Sequence, residues 1–221
     1  MDMKRFLRKI ICFLFPPIKH YYQFLSSQSK HVSFFSWSSF WLGRNKTCYW
    51  PTIKGIELTH PDHIFVGINS NVGIRPGNYI QGNGGLVIGR YVDITGNCGI
   101  ISGNHDVYDH TKHLDKEVRI GDYCWIGMNT MILPGVVLGP RTIVGAGSVV
   151  TKSFPEGFCV ICGNPAKMIR KLDVYKFVPH KRDEEYYGFV PKKDFRKFAE
   201  KYLCENKYYD EIMKELNDNN L

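Results

Sequence analysis

Aliphatic residues recur at every sixth position through the middle of the chain. A small or β-branched residue mostly stands two positions before each of them, and a glycine often follows. Neither an α-helix nor an ordinary strand has a period of six, so the pattern is an internal repeat. It predicts a solenoid of short parallel strands, in which each unit supplies one strand and one corner and three units complete a triangular coil. The series is Ile68, Ile74, Ile80, Ile88, Ile94, Ile100, Ile120, Ile126, Ile132, Leu138, Val144 and Val150.

The repeat is interrupted after Ile100. The next aliphatic residue is due at position 106, but the series resumes only at Ile120. The extra residues must leave the coil as a loop, which we expect over 104–117, with His105 at its root. A shorter interruption lies between Ile80 and Ile88. Loops on a rigid scaffold usually carry the binding groups, so both interruptions are candidate sites.

The segments outside the repeat differ from it in composition. Residues 1–54 are rich in Trp, Phe and Tyr and predict a helical, aromatic cap before the coil, which we place at 55–170. Residues 171–221 predict a helix or helix pair that docks on this coil or on a neighbouring subunit. Their apolar side chains at helical spacing are Phe195, Phe198, Tyr202, Tyr209, Ile212 and Leu216.

The beginning of the chain combines basic and apolar residues. Its apolar stretch is too short to span a bilayer, prolines follow it, and it has no small-residue cleavage site. We predict an amphipathic helix that packs on its own protein or a sister subunit, with peripheral membrane contact as the alternative. Its apolar side consists of Phe6, Leu7, Ile10, Ile11 and Leu14.

Charge and cysteine content narrow the class of protein. The chain has 29 Lys and Arg against 21 Asp and Glu, a formal net charge of +8, which favours an anionic partner such as a phosphate-bearing ligand, an anionic lipid or a nucleic acid. Its seven Cys lack the spacing of a disulfide framework. We therefore expect reduced thiols in a cytoplasmic protein, with the inner face of the membrane as an alternative location.

Residues 120–172 carry the most specific motif: IGDYCWIGMNTMILPGVVLGPRTIVGAGSVVTKSFPEGFCVICGNPAKMIRKL. Over roughly 55–170 the chain resembles the hexapeptide-repeat acyltransferases, most closely the galactoside, maltose and polysaccharide O-acetyltransferases. The resemblance implies an all-β solenoid, a left-handed parallel β-helix, here with N-terminal and C-terminal helical extensions. The handedness comes from the resemblance alone, since parallel crossovers are usually right-handed. The resemblance also implies that a homotrimer, with its site between two subunits, transfers an acetyl group from acetyl-CoA to a sugar hydroxyl.

The resemblance assigns the catalytic role to His105. In the sugar acetyltransferases a histidine lies seventeen residues after the aliphatic residue that opens its coil, and Ile88 is that residue here. An imidazole there would act as a general base in direct transfer without an acyl-enzyme. Asp93 and Asp106 are candidates to orient the ring, and a backbone carbonyl is an equal alternative. The sequence after His105 departs from the His-Pro that relatives usually carry.

The resemblance also assigns the acetyl-CoA and acceptor contacts. Small residues leave the backbone accessible to the pantetheine arm, and cations bind the phosphates. Lys167 replaces an arginine of relatives, and Met128 replaces a serine, which leaves only a backbone contact there. Trp125 is expected to be buried. The acetyl-CoA contacts are Met128, Gly145, Ala146, Thr151, Lys152, Lys167 and Arg170; the acceptor contacts are Asn78, Tyr79, Asn83, His110, His113 and Trp125.

Three alternatives remain open. The fold could serve a xenobiotic or amino acceptor, or act as a scaffold without catalysis. The loop histidines could bind zinc, as in γ-class carbonic anhydrases, but those ligands come from separate coils whereas His105, His110 and His113 share one loop. We therefore expect no metal cofactor. Cys159 and Cys162 form a CxxC pair that we interpret as packed thiols.

Overall fold

The middle of the chain is a three-sided coil of short strands. The computed structural model describes residues 16–27, 32–43 and 46–218. Face 1 contains β1 (Glu57–Thr59), β3 (Tyr79–Gln81), β6 (Gly99–Ile101), β11 (Met131–Ile132) and β14 (Val149–Val150). Face 2 contains β2 (Ile64–Val66), β4 (Leu86–Ile88), β9 (Val118–Ile120) and β12 (Val137–Leu138). Face 3 contains β5 (Asp93–Ile94), β10 (Trp125–Ile126), β13 (Thr142–Val144), β15 (Cys159–Gly163) and β16 (Ala166–Lys171).

Parallel pairing aligns the six-residue repeats from coil to coil. On face 1, Ile80 pairs with Ile100, Ile100 with Ile132, and Ile132 with Val150. All four side chains are buried, so each aliphatic residue of the series lies on its equivalent in the next coil. The predicted repeat solenoid is confirmed, and the stacked aliphatic side chains form its core.

Glycine corners permit this close stacking. A Cβ at Gly139 would lie 2.1 Å from the carbonyl oxygen of Pro155, and one at Gly127 would lie 2.6 Å from the backbone nitrogen of Ala146. These distances are far below van der Waals contact, so no larger residue fits at either corner. Among the described strands of the three faces, only β16 runs antiparallel; it pairs with β15 and ends the coil.

A hairpin leaves the coil between faces 1 and 2. Its strands are β7 (Gly103–His105) and β8 (His113–Asp115), which pair antiparallel with His105 opposite His113. It occupies the interruption in the repeat. Short 3-10 helices at Pro61–His63 and Val174–Lys176 lie before β2 and after β16.

An aromatic cap packs against the C-terminal segment. Helices α1 (Pro16–Ser27) and α2 (Phe34–Trp41) bury Phe24, Trp37 and Phe40, and the ring of Phe40 stacks on Phe189 at 4.7 Å. The predicted amphipathic helix with Phe6, Leu7, Ile10, Ile11 and Leu14 lies outside the described residues. No helix within the three described ranges is long and apolar enough to cross a membrane.

The C-terminal segment packs back on the coil of its own chain. It contains a two-stranded ribbon of β17 (Tyr186–Tyr187) and β18 (Val190–Pro191), then helices α3 (Lys192–Tyr202) and α4 (Tyr209–Asp218). Phe195 of α3 stacks on Tyr187 with ring centroids 3.9 Å apart, and Ile212 of α4 is buried. The segment contacts the coil through Arg119 of β9, whose guanidinium donates to Glu211 of α4 (2.8 Å).

Removing one side chain from the aliphatic ladder should weaken the coil. Ile100→Ala should lower the free energy of unfolding by about 2–5 kcal/mol, because it leaves a cavity between Ile80 and Ile132. Ile101→Ala is the matched control, since Ile101 is the next residue of β6 and only partly buried. It should cost clearly less in urea unfolding followed by circular dichroism. Equal losses would contradict the inward assignment of Ile100.

Candidate active site

The root of the hairpin is tied to the preceding coil. The backbone N–H of Gly103 donates to Oε1 of Gln81 (2.8 Å), and the Ser102 hydroxyl donates to the carbonyl of Gln81 (2.6 Å). Ser102 Oγ accepts from the N–H of Gly84 (3.0 Å), while its carbonyl accepts from the N–H of Lys116 (2.8 Å). The start of β7 and the residue after β8 are therefore both held by hydrogen bonds at the root of the hairpin.

The C-terminal segment holds the same corner from outside. The ammonium of Lys207 donates to the carbonyl of Gly84 (2.6 Å), and the Tyr208 hydroxyl donates to Glu117 (2.8 Å). Burial alone would raise the pKa of Glu117, but hydrogen bonds from Arg119 and Tyr208 outweigh it and lower that pKa. Glu117 thus stays ionised as the acceptor that joins the hairpin root to the tail.

His105 has one ring nitrogen engaged by the backbone of its own hairpin. Its Nδ1 lies 2.7 Å from the carbonyl oxygen of His110. A carbonyl only accepts hydrogen bonds, so Nδ1 donates, and the neutral ring carries its lone pair on Nε2. The side chain is exposed, and the ring of His113 lies 4.4 Å away between centroids. This arrangement suits an imidazole that takes a proton through Nε2.

Neither predicted aspartate orients His105. Oδ1 of Asp106 accepts from the N–H groups of Tyr108 (2.8 Å) and Asp109 (3.0 Å), so it shapes the hairpin turn. Asp93 opens face 3, at the edge between faces 2 and 3, whereas the hairpin leaves the edge between faces 1 and 2. Neither aspartate therefore contacts the ring of His105 in this structure, and a backbone carbonyl, the alternative considered, lies beside Nδ1.

The predicted acceptor contact at Asn78 is also wrong. Its side chain is buried, its Oδ1 accepts from the N–H of Cys98 (2.9 Å), and its amide donates to the carbonyl of Val72 (3.4 Å). Asn78 therefore closes a corner of the coil and has no access to a ligand. Sequence alone did not reveal this, because a buried corner asparagine and an exposed loop asparagine look alike.

Two other acceptor candidates lie near the hairpin side of the coil. Asn83 lies beside Gly103 at the hairpin root, and its Oδ1 accepts from the hydroxyl of Thr59 (3.2 Å). Tyr79 is partly exposed on β3, and its hydroxyl accepts from Gln81 (3.4 Å). Both could meet a ligand that approaches His105 along face 1.

Trp125 is not buried, contrary to expectation. Half of its surface (50%) is exposed, because its neighbour Ile126 is the inward residue of β10 and positions alternate along a strand. It lies opposite Asp93 of β5, whose Oδ1 is buried with no hydrogen-bond partner among the described residues.

His110 contributes its backbone to the position of His105, while its side chain is exposed.

The small residues predicted to meet pantetheine form the edge between faces 3 and 1. A Cβ at Gly145 would lie 2.7 Å from Cβ of Cys162, so glycine is required there by the last coil. Ala146 and Met128 are both exposed at this edge. The carbonyl of Met128 already accepts from the N–H of Gly147 (2.7 Å).

The predicted phosphate contacts are spread over two sides of the coil. Thr151 and Lys152 follow β14 at the edge between faces 1 and 2, where the hairpin also leaves. Lys167 and Arg170 lie on β16 of face 3. All four side chains are exposed. A single copy of the chain therefore does not gather them around one point.

Arg170 lines a pocket of about 260 Å³ that sequence reasoning did not identify. Arg141 and Lys171 line it as well, together with the rings of Phe158 and Phe177. The guanidinium of Arg141 lies 5.3 Å from the centroid of Phe177. Arg141 has φ of +57° at a corner, as do Tyr123 one coil earlier (+58°) and Tyr91 two coils earlier (+56°). The recurrence of large corner residues was the signal that could have revealed it.

No three His, Cys, Asp or Glu side chains come together as a metal-binding group in the part of the chain that the structure describes. Successive side chains of β15 alternate between its two sides: Cys159 and Ile161 are buried, whereas Val160 and Cys162 are partly exposed. The two cysteine side chains therefore do not face each other.

Known proteins match part of the chain. Residues 117–152 match the family described as bacterial transferase hexapeptide (six repeats). A Saccharomyces cerevisiae protein named as a candidate acetyltransferase is 43% identical over 91 residues, which are 39% of this chain and 46% of that protein. A Staphylococcus aureus protein with the same kind of name is 36% identical over 112 residues, 49% of this chain and 56% of its own length. The chain thus spans about half the length of the curated relatives that it matches.

A solved structure shares the fold. The hexapeptide-repeat acetyltransferase of Vibrio cholerae, crystallised with acetyl coenzyme A, superposes with a TM-score of 0.54 at 22% identity, over 62% of this chain and 78% of that one. The repeat match and this likeness confirm the left-handed β-helix. Residues 117–152 therefore contain hexapeptide repeats, and the relatives that match part of the chain are named as acetyltransferases.

Proposed function

We propose that the protein transfers the acetyl group of acetyl-CoA to a hydroxyl of a saccharide, with His105 as general base. The observation that carries this proposal is the 2.7 Å contact between Nδ1 of His105 and the carbonyl of His110. It assigns the ring hydrogen to Nδ1 and leaves Nε2 to take a proton. The exposed position at the root of an anchored hairpin gives an acceptor access to that nitrogen.

The reaction needs one proton acceptor and one leaving group. Nε2 of His105 takes the proton of the sugar hydroxyl while its oxygen attacks the thioester carbonyl. The C–S bond then breaks, the thiolate of CoA leaves, and the proton held on His105 can return to it. The products are an acetyl ester and CoA with a free thiol. A base so placed is worth about 10²–10⁴ in rate.

Exposed cations support the binding of CoA phosphates. Lys152, Lys167 and Arg170 are exposed, and Arg141 and Lys171 extend the positive charge around Arg170. Arginine pairs with phosphate through two parallel hydrogen bonds, while lysine acts as a point charge. The aromatic rings of Phe158 and Phe177 beside this charge suit the base of a nucleotide.

The distribution of these residues supports a site shared by two copies in a homotrimer. His105 lies at the edge between faces 1 and 2, whereas Trp125 and Met128 lie on face 3 and its border with face 1. Met168 and Ile169 on β16 are also exposed, so face 3 presents apolar side chains that another copy would cover. Rotation about a threefold axis brings an edge of one copy to a face of the next.

The exposed side chains near the site suit a saccharide as the acceptor. A half-exposed indole, Trp125, offers a flat surface on which a sugar ring can stack, and Tyr79 and Asn83 offer polar groups near the hairpin root. A surface-polysaccharide precursor, linked to a lipid or nucleotide, is the acceptor class that we expect.

Replacing His105 should remove catalysis but not acetyl-CoA binding. His105→Ala should lower kcat by about 10²–10⁴ with little change in the KM for acetyl-CoA, because only proton transfer is lost. His110→Ala is the matched control, since it retains the backbone carbonyl that holds Nδ1. It should keep most of the activity. Thiol release from acetyl-CoA with a panel of sugars measures both, and full turnover in the His105 variant would exclude this base.

Removing the cations should weaken the binding only of thioesters that carry the nucleotide end of CoA. Arg170→Ala and Lys152→Ala should raise the KM for acetyl-CoA several-fold, because CoA phosphates lose charge-assisted bonds. Lys197→Ala, an exposed lysine on α3, is the control. Acetyl-pantetheine, which lacks the nucleotide, should show no difference between the variants. Equal effects on both thioesters would contradict the phosphate assignment.

A shared site requires an oligomer. Light scattering at micromolar concentration should give about three times the 25.5 kDa mass of the chain. Met168→Ser combined with Ile169→Ser should shift the protein toward smaller species, because the covered face loses apolar area. A monomeric wild-type protein with full activity would contradict the shared site.

A further inference from the structure

Helix α2 presents apolar side chains on both of its sides. Trp37 and Phe40 are buried against the cap, whereas Phe35 on the other side is 72% exposed. Phe34 and Trp41 are also exposed, and the next residue, Leu42, is 84% exposed. The helix contains no charged residue. A surface helix normally carries polar or charged residues on the side opposite the core, so large apolar side chains on that side are unusual.

The exposed residues border an apolar cleft. The cleft has a volume of about 540 Å³ and lies between α1 and α2, where Phe34, Trp37 and Trp41 line it together with Phe24. Contiguous apolar surface of this kind marks a site of contact with another molecule. We call Phe34, Phe35, Trp41 and Leu42 the apolar patch.

The positive charge of the chain is concentrated in the same part of the sequence. Residues 1–50 contain eight of the 29 Lys and Arg but only one of the 21 Asp and Glu. This segment therefore carries +7 of the net +8, and residues 51–221 are nearly neutral. Lys19 of α1 is exposed beside the cleft-lining His20. A basic segment next to exposed Trp, Phe and Leu has the composition of an anionic-membrane contact.

We infer that the apolar patch is a docking surface for an anionic lipid bilayer. The aromatic side chains would enter the boundary between headgroups and acyl chains, while the basic residues meet anionic headgroups. Charge argues against a second copy as the occupant, because each copy carries a net charge of +8. A nucleic acid would satisfy the charge but not the four exposed apolar side chains. The inference does not depend on acetyl transfer.

Vesicle binding by the full chain tests the inference. The protein should co-sediment with vesicles of phosphatidylcholine and phosphatidylglycerol, and bind at least about tenfold more weakly to phosphatidylcholine alone, because each basic residue near an anionic surface adds to binding. Phe35→Ser combined with Leu42→Ser should weaken binding to the anionic vesicles by at least about tenfold. Both side chains are exposed, so the fold should survive.

The matched control removes exposed apolar groups elsewhere. Tyr175 and Val178 are 99% and 81% exposed beyond the end of the coil, and Tyr175→Ser combined with Val178→Ser should bind vesicles as the wild type does. Lipids brominated on the acyl chain should quench tryptophan fluorescence in the wild type, and Trp41→Phe should remove most of that quenching. Trp125, on the coil, provides the unquenched background.

Three results would overturn the inference. One is equal binding of the Phe35 and Leu42 double variant and the wild type to anionic vesicles. The second is an absence of anionic vesicle binding by the wild type, with or without a change in its oligomeric state. The third is an oligonucleotide result: a single-stranded oligonucleotide binds the protein, displaces it from vesicles, and binds the double variant equally well. That result would assign the basic segment to nucleic acid.

Discussion

The close spacing of the coils is the constraint on which the rest of the structure depends. Neighbouring strands of a sheet lie about 4.7–4.9 Å apart, and here every coil must keep that spacing at three corners as well as along three faces. A Cβ at Gly121 would lie 2.7 Å from the backbone nitrogen of Pro140, and one at Gly89 would lie 2.8 Å from that of Asp122. Glycine at these corners and one buried aliphatic residue in each unit are therefore two requirements of the same stacking.

This stiffness is what gives the candidate site its geometry. A hairpin that protrudes from a solvent-exposed corner has few contacts of its own, yet Gln81, Ser102 and Lys207 fix its root from the coil and from the tail. Within the hairpin, Asp106 caps the turn and the carbonyl of His110 sets the ring of His105. Chemistry that needs an oriented imidazole can thus be carried by a surface loop.

The parts of the fold that could be predicted from the sequence are those that repeat. The ladder through Ile100 and Ile132 could be predicted because every coil repeats the same requirement for a buried aliphatic residue. The position of the hairpin followed from the longer of the two interruptions in the repeat. Asn78, Asp93 and Trp125 were misjudged because their roles depend on which face or corner they occupy, and a one-residue shift reverses inward and outward. A backbone carbonyl was one of the predicted partners of His105, but the sequence could not show that it belongs to His110, since every residue has a carbonyl. Arg141 was missed because it belongs to the coil pattern and not to a loop.

The contacts of Lys207 and Tyr208 connect positions that are far apart along the chain. Lys207 reaches the carbonyl of Gly84, and Tyr208 reaches Glu117. During synthesis the coil can begin to stack as soon as its first turns leave the ribosome, because each turn needs only its neighbour. The hairpin root, in contrast, waits about a hundred residues for its outer support. The nascent protein therefore acquires its scaffold early. The His105 hairpin receives all of its supports only when Lys207 and Tyr208, just before α4, have been synthesised.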